Sequence, residues 1–168
     1  MLQKLHHVAY RCKDASETVD FYTNVLGLKF SHAIAQDRVP STQAWNPHLH
    51  VFFEMEDASS IAFFELPELP AMQPDPNTPN WVQHLALEVK DMATMQEGVR
   101  RLRDRGVEVI GPIDHHFCQS VYFFDPSGHR LEMTVRTGAE GDAGRFAKQA
   151  RATLAEWEAR KAAAALAR

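Results

Sequence analysis

Two stretches of the chain alternate apolar and polar positions behind a histidine: His7-Val8-Ala9-Tyr10 near the start, and His84-Leu85-Ala86-Leu87-Glu88-Val89 after a gap. Side chains alternate along a strand, so each stretch predicts a strand with one face for a core and one for something else. Asp14 follows the first and Asp91 the second, each placed as a helix N-cap, and Glu17 completes a capping-box pattern. The helix after Asp14 buries Val19, Tyr22, Val25 and Leu26 and stops at Gly27. Its counterpart buries Met92, Met95, Val99 and Leu102 and stops at Gly106. Residues 28–34, 49–55 and 61–66 read as strands in the first half, with a polar loop over 35–47 and a turn at 57–60. Residues 107–110, 117–124 and 130–135 read as strands in the second half, with a turn at 125–128. One β-α-β-β-β unit therefore occurs twice.

The organisation follows: an α+β fold of two βαβββ modules plus a C-terminal helix. Residues 1–66 form module one and 81–136 module two, the two making a domain over 1–136. Between them, Pro67, Pro70, Pro74, Pro76 and Pro79 remove amide donors over 67–80 and predict an extended connector. Residues 137–168 are a linker and tail, flexible over 138–144 and helical over 145–168. The tail's large apolar residues are Phe146, Leu154, Trp157 and Leu166, a thin stripe expected to dock on its own domain or on a second subunit.

Composition narrows the function classes. At 168 residues there is one core of ordinary size, and 45% hydrophobic with 24% charged residues is a globular balance without a membrane-length apolar run. The N-terminal residues lack a secretory pattern, so a cytoplasmic location is expected. Cys12 and Cys118 are expected as free, buried thiols. A net charge of -4 with mixed signs offers no field for nucleic acid, which leaves a small molecule as the expected partner.

Nine histidines change the picture. The repeat puts a histidine on each first strand and a glutamate on each last strand: His7 and Glu65, His84 and Glu132. Two imidazoles and two carboxylates suit a divalent metal such as Fe(II), Mn(II), Zn(II), Ni(II) or Co(II) better than a thiolate-seeking one. Singly, each is more often a satisfied strand histidine or a solvated glutamate, and Glu65 shares its strand face with Ile61 and Phe63. The repetition raises the case for a site. His48 and His50 share a strand face and could touch a substrate, although plain exposure is the simpler account of them.

The segments His7-Val8-Ala9-Tyr10, Phe21-Tyr22, Leu26-Gly27-Leu28, His84 to Val89, Phe124-Asp125-Pro126-Ser127-Gly128 and Leu131-Glu132 resemble the vicinal oxygen chelate superfamily over about residues 5–136. That resemblance implies a cupped pseudo-barrel with a metal at its base, and it selects His7 rather than His6 as a ligand. It spans glyoxalase I, an epimerase, fosfomycin-resistance enzymes and extradiol ring-cleaving dioxygenases. His115, Val121, Tyr122, the 125–128 turn and Glu132 match the extradiol signature. The resemblance then implies Fe(II) on His7, His84 and Glu132, with Tyr122 bonding a substrate oxygen and His115 as acid/base. Four ligands including Glu65 would instead imply a glyoxalase I-like lyase or an epimerase working through an enediolate. A metal-free drug-binding module is the third alternative. A homodimer is expected.

Overall fold

In the computed structural model, which describes residues 1–73, 75–138 and 142–166, module one is a four-stranded sheet in the order β1-β4-β3-β2. Its strands are β1 (His7–Arg11), β2 (Lys29–Arg38), β3 (Trp45–Glu54) and β4 (Ser60–Glu65). Strand β1 runs parallel to β4, and the other pairs are antiparallel. The ladder between β2 and β3 reaches Arg38 and Trp45, deep into the expected 35–47 loop. Two register irregularities make this possible. They let a polar outer strand carry on past Pro47, whose missing donor is tolerated beside a bulge.

Helix α1 (Ala15–Asp20) begins where the Asp14 side chain accepts the Glu17 amide at 2.8 Å. It runs directly into one π-helical turn over Phe21–Val25 and ends at Gly27, whose φ of +79° only glycine adopts freely. The wide turn buries Phe21 and Tyr22 together.

Module two repeats the plan in the order β5-β8-β7-β6, with β5 (Leu85–Glu88), α2 (Met92–Asp104), β6 (Ile110–Asp114), β7 (Cys118–Phe124) and β8 (Arg130–Arg136). The Asp91 side chain caps α2 through the Thr94 amide at 2.8 Å. The strand expected at 107–110 starts only at Ile110, because the Val107 amide closes the helix end on the Leu102 carbonyl. Strand β6 then runs on through Pro112, acceptable at a sheet edge.

Both sheets give one face to a shared core. Ile61 and Phe63 of β4, Val121 and Phe123 of β7, and Leu131, Met133 and Val135 of β8 are buried there with Phe21, Tyr22, Met95 and Leu102 from the helical turns. These strand residues are all odd-numbered, so the even-numbered faces look away from the core. A buried polar lock joins the modules: Tyr22 OH donates to Asp125 Oδ2 at 3.0 Å, and Asp125 Oδ1 accepts the His129 amide at 2.8 Å. Burial pushes the Tyr22 phenol well up and raises the Asp125 carboxyl. The Lys13 amide donates to Ser127 Oγ at 3.1 Å across the same junction. The α+β class, the two modules and the C-terminal helix are as expected, and the two sheets stay separate, not closed into a barrel. Cys12 and Cys118 are free and buried.

The tail is a 25-residue helix, α3 (Asp142–Leu166), beginning earlier than residue 145. Residues 139–141 of the expected flexible link lie outside the described residues. The Phe146 ring meets Phe117 at 5.4 Å, while Leu154 and Trp157 are 60% and 53% exposed. No helix among the described residues is long and apolar enough to cross a membrane.

Removing the Tyr22 hydroxyl strands a buried carboxylate oxygen. Tyr22→Phe is expected to lower stability by about 1–3 kcal/mol in urea denaturation, against near neutrality for a surface tyrosine.

Candidate functional site

On the outward face of the second sheet, parallel pairing sets Ala86 beside Glu132, and antiparallel pairing sets Tyr122 on the other side of Glu132. His84 stands two residues before Ala86, on the same face, and its Nε2 lies 3.1 Å from Glu132 Oε2. Glu132 is 7% exposed, and among the described residues His84 is its polar partner. A carboxylate buried that deeply with one imidazole has acceptor capacity left for a cation. His84 is a third exposed, so the pair is reachable from outside.

Beside this pair, His115 Nε2 lies 2.8 Å from Tyr122 OH, and the Tyr122 ring meets His84 edge-on at 6.0 Å. Burial, and then the Glu132 carboxylate, raise the Tyr122 phenol above its ordinary value, with Ser120 and Arg130 pulling it back. The phenol stays protonated at neutral pH and can donate. His84, Glu132, Tyr122 and His115 thus form one contiguous set on one sheet face.

His7 and Glu65 are elsewhere. His7 lies on the outward face of the first sheet, its Nδ1 2.8 Å from His6 Nδ1 and its ring 6.4 Å from His50. His7 is not gathered with His84 and Glu132 within one chain: among the described residues there is no cluster of three metal-capable side chains. Glu65 points the other way altogether. His7 pairs with Ser60, five residues before Glu65 along β4, or about 16 Å. Glu65 Oε2 accepts the Ala15 amide at 3.0 Å at the start of α1. Register explains the difference: Ala9 pairs with Ala62 in module one as Ala86 pairs with Glu132 in module two. The counterpart of Glu132 is therefore Ala62, and Glu65 sits at odd spacing from it, on the core-side face.

Two residues gain weight from the structure. His50 stacks on Phe64 with centroids 3.7 Å apart, and its Nε2 is buried without a partner. Burial and then His7 lower its pKa to about 4, which leaves it neutral. Its even spacing from His48 was the available sequence signal. Arg130, which belongs to none of the sequence motifs, stands two residues before Glu132 with its guanidinium 4.6 Å from the Tyr122 ring centre.

The family model described as Glyoxalase/Bleomycin resistance protein/Dioxygenase superfamily matches residues 4–133. The chain is similar to a 2-epi-5-epi-valiolone epimerase of an Actinomyces species, 28% identical over 77% of each chain. It is also similar to the putative ring-cleaving dioxygenase MhqA of Bacillus subtilis, 25% identical over 82% of this chain, and spans 42% of that protein's length. Among solved structures, the fosfomycin resistance protein FosX of Listeria monocytogenes, complexed with Mn(II) and sulfate, superposes with a TM-score of 0.58. It is 20% identical and covers 82% of this chain and 95% of its own.

The position of Glu65 gives a test. Glu65→Ala is expected to cost about 1 kcal/mol in urea denaturation, as a lost helix cap does, while metal analysis of the loaded protein gives wild-type stoichiometry. Loss of metal would return Glu65 to the ligand set.

Proposed function

Because the chain belongs to the glyoxalase, bleomycin resistance protein and dioxygenase superfamily, we propose that it is a metal-dependent dioxygenase opening a catechol-like ring with O₂. Its metal would be held by His84 and Glu132 of one copy and by His7 of a second, in a homodimer. The observation that carries this reading is the place of Glu65 at the start of α1. Without it the donors are two imidazole nitrogens and one carboxylate, which leave positions open for both catechol oxygens and for O₂. That set fits Fe(II), with Mn(II), Zn(II), Ni(II) and Co(II) as alternatives.

A bound Fe(II) supplies Lewis acidity toward the substrate oxygens and a redox partner for O₂. The rest falls to the chain. Tyr122, already hydrogen-bonded to His115, donates to a ring oxygen and holds it in register. His115 passes a proton to or from that phenol. His50, neutral and with a free ring nitrogen, would face the same space from the second copy, where that nitrogen can accept a hydrogen bond from a catechol hydroxyl. The carbon–carbon bond next to the hydroxyl pair breaks, both oxygen atoms of O₂ enter the product, and no external reductant is consumed.

The epimerase relative favours a second reading, in which the same donors hold a hydroxyketone while a side chain moves the proton beside its carbonyl. The two separate cleanly. Protein loaded with Fe(II) without air, then given a catechol panel and O₂, is expected to yield a yellow ring-fission product. Proton exchange into a cyclic hydroxyketone with no O₂ uptake would establish the epimerase instead.

Two variants check the roles. His84→Ala is expected to lose stoichiometric metal. Tyr122→Phe keeps metal and loses turnover by about 100-fold or more, in the range of general acid–base groups. A Tyr122→Phe protein at full ring-cleavage rate would take Tyr122 out of the mechanism.

A further inference from the structure

We propose that Arg130 is an anchor for an anionic group on the substrate, so that the site selects aromatic carboxylates over their neutral counterparts. This rests on the reading that the His84–Glu132 face receives substrate, and it names the class that face prefers.

Position comes first. Arg130 opens β8 two residues before Glu132, on the same outward face, and Leu85 pairs with Leu131 at the next step of the ladder, which sets Arg130 beside His84. The guanidinium does not run out to solvent but lies over the Tyr122 ring, 4.6 Å from its centre. Arg130 and His84 line one cavity of about 830 Å³ under the proline-rich connector.

Its bonding is the second observation. Arg130 Nε is buried with no hydrogen-bond partner, and among the described residues no carboxylate pairs with the guanidinium. Arg11 also has a buried, open Nε, but its Nη2 donates to the Pro70 carbonyl at 2.7 Å, and three other arginines pair with carboxylates. Arg136, six residues further along the same strand face, pairs with Glu88 at 2.9 Å, and Arg100 and Arg105 pair with Glu97 and Asp20. A buried N–H donor left open is costly, and the planar guanidinium fork matches a carboxylate with two parallel bonds. Charge in the cavity agrees. Lys13 adds a second cation, and the Asp75 carboxylate is already taken by Thr78 and the Asn77 amide. An incoming carboxylate therefore meets two cations and one anion, Asp75, which stays ionised while its oxygens are held by Thr78 and the Asn77 amide.

The alternative is that Arg130 serves only to hold Tyr122 by its cation–π contact, and the test separates the two. Full-length protein loaded with Fe(II) under anaerobic conditions is titrated with 3,4-dihydroxyphenylacetate and with 4-methylcatechol. Metal-free protein is titrated with phenylacetate and with 2-phenylethanol. The wild type is expected to bind the carboxylated member of each pair on the order of 10- to 100-fold more tightly, the range of a charge-assisted hydrogen bond. Arg130→Met brings that ratio to about one, and Arg130→Lys restores part of it. A wild-type ratio near one, or a ratio unchanged in Arg130→Met, overturns the proposal and leaves Arg130 as a support for Tyr122. Should Arg130→Met fail to fold, the wild-type ratio and the Arg130→Lys protein still decide. Failure of the dioxygenase reading has a different signature: the carboxylate preference persists in both pairs while no catechol is opened.

Discussion

Strand alternation is the constraint on which everything else rests. Each strand of the two sheets has one face to bury, and the structure spends the odd-numbered faces of β4, β7 and β8 on a single core between the sheets. Every other property of the site follows from that choice. The opposite faces must turn outward, and they carry His7 and His50 on the first sheet and His84, Tyr122, Arg130 and Glu132 on the second. A core of this kind cannot also be the reaction chamber, because its large side chains fill it: Tyr22, Phe53 and Phe63 are fully buried and lie against one another.

The core needs its polar lock for the same reason. Two sheets joined by apolar contacts alone could slide, since such contacts have little directional preference. The Tyr22–Asp125 bond and the Lys13–Ser127 bond fix the turn between β7 and β8 against the start of α1. That turn leads straight into Arg130 and Glu132, so module packing and the placement of the site are held by the same few residues.

Much of this was legible in the chain. The β-α-β-β-β plan, both aspartate caps and both glycine stops follow from local chemistry that tertiary contacts reinforce. His84, Glu132, Tyr122 and His115 fall together because the residues between them fix strand parity. Glu65 shows where such reasoning ran out. Its residue type matched the repeat, but its position differs from that of Glu132 by an odd number of residues relative to the pairing with β1. Parallel register is a long-range property, and no neighbour in sequence announces it. The same holds for the outward turn of His7, which depends on how two modules pack and not on either one. The extension of β2 and β3 was hidden differently, since an exposed edge ladder with bulges has the polar composition of a loop.

The separation of His7 from His84 and Glu132 has a thermodynamic consequence in the proposed arrangement. An ion whose ligands come from two copies binds the assembled pair better than the separated chains, so association and metal uptake are linked by mass action. Metal affinity then rises with protein concentration, and metal in turn strengthens the pair. In that arrangement the ion would be released on dilution even when every ligand is intact.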